Sequence, residues 1–69
     1  MSKEQQVWFV LFDKENKVYL DIPNNTSGTH PVDGHWYEAI DEAYRDKMCG
    51  GHHRNAVVPM PMFEDERGN

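Results

Sequence analysis

A single cysteine, Cys49, leaves this 69-residue chain with no internal disulfide, so one usual support of a very small domain is missing. Basic residues are also few: seven Lys and Arg stand against twelve Asp and Glu, for a formal net charge of -5. That balance opposes direct nucleic-acid binding and attraction to an anionic membrane surface. Protonating all four histidines brings the charge from -5 to -1, so much of the acidic character depends on pH. Long apolar runs are lacking too. The run at residues 7–12, VWFVLF, follows a polar MSKEQQ stretch and is too short for an export signal's apolar region or for a membrane span. A cytoplasmic protein is the expectation. Asn24 and Asn25 both open N-x-S/T patterns, which in that setting read as turn chemistry.

The chain has room for one small domain, residues 1–69, with a modest core held by helix and sheet packing, a metal or self-association. Residues 7–12 combine aromatic and β-branched types in a short block, which reads as a central strand. Residues 18–22 alternate Val18, Leu20 and Ile22 with Tyr19 and Asp21, and a polar turn joins the two segments into a hairpin. The proline- and asparagine-rich PNNTSGTHP at 23–31 reads as a surface loop. Helix entry is placed at Asp33-Gly34, with Asp33 as N-cap. Trp36, Ala39, Ile40, Ala43, Tyr44 and Met48 then share one side at helical spacing, and Gly50 marks the stop. VVPMPMF at 57–63 carries prolines at alternate positions, as an edge strand tolerates. Residues 1–5 and the acidic 64–69 end are expected to be flexible. The expected fold is therefore α+β: one β-β-α-β domain whose three-stranded sheet carries one amphipathic helix. Trp8, Val10, Leu20, Ile22, Trp36, Ile40, Tyr44 and Val58 are the expected core.

Chemistry-bearing residues are sparse. His30, Cys49, His52 and His53 offer nitrogen and sulfur ligands suited to tetrahedral zinc. His35 is excluded from that set: 14 helical residues separate it from Cys49, roughly 20 Å at about 1.5 Å each. A helix C-terminus raises a thiol's pKa, which argues against Cys49 as a nucleophile. Gly50-Gly51 follows a helix instead of opening one, the wrong polarity for a phosphate site. The adjacent His52, His53 and Asn55 suggest a histidine-type nuclease, but the helix such a site requires after them is missing. The expectation is no cofactor and no metal, with zinc on His30, Cys49, His52 and His53 as the alternative.

Charge supplies the leading reading. Glu38, Asp41, Glu42 and Asp46 crowd the polar side of the expected helix, with like-charged pairs at four-residue spacing that a helix built only for stability avoids. Glu64, Asp65 and Glu66 repeat the pattern near the end, and Met60 and Met62 add an apolar, extended strip. These nine residues are the candidate contact surface of a non-enzymatic interaction domain that docks on a basic region of a larger protein, as a monomer or a homodimer paired through edge strands. In size, acidity and lack of a catalytic constellation the chain resembles the small host-takeover proteins of bacteriophages, which bind and inhibit host enzymes such as RNA polymerase. That resemblance implies an inhibitor or modulator and assigns no residue.

Overall fold

The computed structural model describes residues 7–51 and 55–67; the flexible start expected at 1–5 lies outside them. The elements run β1 (Val7–Asp13), β2 (Val18–Asp21), β3 (Thr26–Gly28), β4 (Trp36–Tyr37), α1 (Ile40–Cys49) and β5 (Val57–Phe63). Short 3-10 helices at Pro31–Asp33 and Glu64–Arg67 complete the order. The α+β class and the first hairpin follow the expectation. The sheet does not stop at three strands: β3 and β4 bring it to five, all antiparallel.

Both hairpin turns are built the same way. In the first, the Asp13 carboxylate accepts the Glu15 and Asn16 amides at 2.9 and 3.2 Å and the Asn16 side-chain amide at 2.9 Å, and Lys17 then takes a left-handed φ of 58°. In the second, Asp21 accepts the Asn24 backbone and side-chain amides at 3.3 and 3.0 Å, and Asn25 takes a φ of 59°. Such aspartate-to-backbone bonds stand in for a ladder while the chain reverses. The loop expected over 23–31 therefore holds the turn into β3, which pairs Tyr19 with Gly28 and Asp21 with Thr26.

β1 is the centre of the sheet. One of its edges is shared by β2, opposite Leu11–Asp13, and β4, opposite Phe9 and Val10; the other is lined along its whole length by β5. Alternation sorts the side chains onto two faces. Leu11, Tyr37 and Val57 are buried on the first, with Phe9, Leu20 and Ile22 packed around them, and Ala43 of α1 closes that core. Val10 and Met62 are buried on the second face, among Trp8, Phe12, Tyr19 and Trp36. There Trp8 meets Trp36 edge-on at 6.4 Å and Phe12 lies 4.7 Å from Tyr19. The Pro31–Asp33 helix lies on this second face, tied down by the Trp36 indole N–H donating to the Pro31 carbonyl at 2.8 Å.

The helix starts later than its periodicity suggests. Asp33 ends a 3-10 turn, where its carboxylate accepts the His30 amide at 3.1 Å, and the N-cap of α1 is Ala39, with no side-chain cap bond. Trp36 and Tyr37 pair with Val10 and Phe9 instead: ladder bonds and burial of two β-prone aromatics outweigh a helical repeat that includes them. A shorter helix is also rolled differently. Ala43 is its only fully buried residue, so the small side chain lets the helix approach the sheet closely, while Ile40, Tyr44 and Met48, expected inside, are 40 %, 47 % and 57 % exposed. Gly50 and Gly51 end it, with the Gly50 amide on the Asp46 carbonyl at 2.8 Å and Gly51 at a φ of 81°.

β5 is an edge strand among the described residues, and its prolines face outward. The Ala56 carbonyl accepts the Lys14 amide at 2.7 Å, so by alternation Val58, Met60 and Met62 turn their backbone groups toward β1 while Pro59 and Pro61 turn theirs away. The free edge has thus lost two donors, and a further strand added there would leave its own carbonyls unpaired.

Candidate functional site

The acidic and methionine residues singled out in the sequence fall into two groups on different sides of the sheet. Glu38, Asp41, Glu42 and Asp46 belong to the helix side. Glu38 precedes α1 and is exposed, and Asp41 and Glu42 are exposed in its first turn, where the positive end of the helix dipole stabilises their charge. Asp46 is different: it is half-buried and accepts the Tyr37 hydroxyl at 2.7 Å. That bond latches α1 to β4. Burial pushes the Tyr37 hydroxyl's pKa well above its ordinary 10.0, and the bond to Asp46 and the nearby charges of Asp46, Asp21 and Glu42 push it further.

A pH dependence follows from that direction. The fold favours the neutral hydroxyl, so Tyr37 contributes its full stability below about pH 10, the unfolded tyrosine pKa, and loses it as pH climbs above that value. Tyr37→Phe is expected to cost about 1 kcal/mol at pH 7 and to flatten the fall in stability above about pH 10. Urea titrations at pH 7 and pH 11 measure both quantities, and equal alkaline slopes for the two proteins would contradict the latch.

The second group lies where β5 ends. Met60 is half-buried opposite Val10, and Met62, opposite Trp8, is only 5 % exposed, a core residue out of a partner's reach in the folded chain. Glu64 and Asp65 are exposed in the Glu64–Arg67 helix, which packs beside Pro31–Asp33; the side chain of Glu66 lies outside the described set.

Of the four candidate zinc ligands, His52 and His53 lie outside the described residues. Cys49 is exposed, and the His30 ring, 78 % exposed, stands 3.7 Å from the Asp33 carboxylate. Among the described residues no three His, Cys, Asp or Glu side chains converge as a metal site requires.

Two features were not anticipated from the sequence. An open cleft of about 380 Å³ lies between the β2–β3 hairpin and the C-terminal end of α1, lined by Leu20, Asp21, Ile22, Thr26, Ser27 and Gly50 among others. Among the described residues its lining includes a carboxylate, amide and hydroxyl groups and apolar side chains but no cationic side chain, and the adjoining negative end of α1 favours positive charge there. The other is the row of exposed apolar residues on α1. Tyr44 in that row carries the Lys47 ammonium 5.7 Å from its ring centre. No helix among the described residues is long and apolar enough to cross a membrane. Comparison with family profiles, curated proteins and solved structures found no match to this chain.

Proposed function

We propose that the protein is a non-enzymatic interaction domain that docks through its acidic surface on a basic region of a larger protein and, by covering that region, inhibits or modulates it. The observation that carries this reading is the idleness of the carboxylates. Glu38, Asp41, Glu42, Glu64 and Asp65 are all exposed, and none forms an ion pair among the described residues. Charge that a fold does not use internally is free to steer an encounter and set partner choice. The cleft beside the end of α1 suits the same partner, because it can receive a lysine or arginine side chain between apolar walls and acceptor oxygens.

The test is charge reversal where the fold loses least. Asp46 is unsuitable, since replacing it strips the Tyr37 hydroxyl of its acceptor. Glu38→Lys with Glu42→Lys is the cleaner variant, because Glu38 lies outside α1 and Glu42 serves the helix only through its first-turn charge. With a partner captured from the native host and then purified, this double change is expected to weaken binding tenfold or more and to reduce its salt dependence, with the circular dichroism spectrum unchanged. Affinity that is unaltered by the pair would sink the acidic-helix reading.

A further inference from the structure

We propose that the exposed row Ile40, Tyr44 and Met48 is a self-association surface, on which two copies of this chain pair antiparallel through α1 about a two-fold axis at Tyr44. The row is unusual for so small a fold. Three large side chains, 40 %, 47 % and 57 % exposed, sit four residues apart and form one continuous ridge along the helix. Only six apolar residues of the described chain are fully buried, so these three represent a substantial share of the available apolar surface left in water.

The pattern on the ridge selects the occupant. In an antiparallel pair centred on Tyr44, each residue lies level with the one equally far on the other side of position 44. Ile40 of one copy then meets Met48 of the second, and the two Tyr44 rings meet at the axis. The neighbouring row on the solvent side holds Asp41 and Arg45, both exposed. The same operation brings Asp41 of each copy to within about one helical turn of the second copy's Arg45, so opposite charges flank the apolar seam twice. A ridge whose sequence is apolar, self-complementary in size and self-complementary in charge is an isologous interface. Two ridges at four-residue spacing cross at about -50°, the commonest helix packing in globular proteins.

The sheet edges offer a second copy much less. β5 presents Pro59 and Pro61 outward, without donors, and β3 is only three residues long. Pairing through edge strands, the homodimer first expected from the sequence, is thus the poorer route. Pairing through α1 leaves Glu38 and Glu42 off the seam, so the surface offered to a basic partner survives, and the dimer stands whether or not that partner exists.

Sedimentation equilibrium on the full chain tests the proposal. The wild type is expected to dimerise with a Kd on the order of 10–100 µM, as a small contact area implies. Raising salt is expected to tighten the dimer, because each copy carries a net charge of -5 and screening relieves their repulsion; binding to a basic partner responds in the opposite direction, which separates the two readings. Tyr44→Glu, which places two carboxylates at the axis of an already exposed site, is expected to leave a folded monomer at 1 mM or so. Asp41→Arg alone is expected to weaken the dimer about three- to tenfold, and Asp41→Arg with Arg45→Asp to restore it. A wild type that stays monomeric to that concentration, a dimer that persists in Tyr44→Glu, or a double swap no better than the single change would each overturn the assignment.

Discussion

Leu11→Ala is expected to leave the chain unfolded at 25 °C. Leu11 is fully buried at the middle of β1, with Leu20 on one side, Pro59 on the other, and Tyr37, Ala43 and Val57 closing around it. Truncating a core leucine costs about 2–5 kcal/mol, the larger values where the surroundings cannot collapse into the space. Collapse is resisted here because β1 is held by ladders on both edges. A single core in a chain of this size supplies about 3–5 kcal/mol in total, so the loss is of the same order as the whole stability. Lys14→Ala is the contrasting control: exposed in the first hairpin turn and outside both the core and the α1 ridge, it is expected to change stability by less than about 0.5 kcal/mol. Amide dispersion in a proton–nitrogen NMR spectrum distinguishes the two at a glance. A well-dispersed, cooperatively melting Leu11→Ala would mean that the core is not centred on β1.

Much of this architecture was legible because it follows from local composition. The block VWFVLF read as a central strand covered on both faces, and the structure buries Leu11 on one face and Val10 on the other, with β5 on one edge and β2 and β4 on the other. The alternating prolines of β5 announced an edge. What escaped was the competition between local patterns. Trp36 and Tyr37 fit a helical repeat with Ile40 and Tyr44, yet they are also β-prone residues that pair with Val10 and Phe9 across the intervening β2 and β3 of the sequence, and ladder pairing is a long-range gain that periodicity within a segment does not register. The β2–β3 hairpin did leave a trace. Asp13-Lys14-Glu15-Asn16 and Asp21-Ile22-Pro23-Asn24 share aspartate and asparagine at the same spacing, and each is followed by a left-handed residue, so the second turn repeats the first.

The candidate site was less legible, for a reason particular to helices of this length. Sequence spacing assigns residues to a side of α1, but the roll of a ten-residue helix on a sheet is set by the closest approach it can make, here at Ala43. That contact, with the Tyr37–Asp46 bond beside it, turns Ile40, Tyr44 and Met48 outward. The same roll withdraws Asp46 from the acidic face. Asp46 therefore serves the fold through a direct bond, whereas Asp41 and Glu42 bear on it only through the helix dipole.

Gly34→Ala is expected to cost about 1–3 kcal/mol. Gly34 is buried on the second face, and a Cβ there would stand 2.6 Å from Val10 Cγ1, 3.0 Å from Tyr19 Cβ and 3.3 Å from the Leu20 carbonyl oxygen. The backbone has little freedom to retreat. His35 donates its amide to that same Leu20 carbonyl at 3.1 Å, and Trp36 anchors the preceding turn through the Pro31 carbonyl. Relief must come from lifting the 31–35 segment off Val10, which also disturbs the Trp8–Trp36 contact. Gly51→Ala is the informative comparison, because Gly51 has a φ of 81° with open space around its Cβ position; it carries a backbone penalty of about 1 kcal/mol and no clash. Urea titrations followed by tryptophan fluorescence separate the two mechanisms. Gly34→Ala is expected to alter the native emission as well as the midpoint, since both tryptophans lie on the disturbed face, whereas Gly51→Ala shifts the midpoint alone. Native emission unchanged in Gly34→Ala would show that the 31–35 segment is not packed on the second face of the sheet.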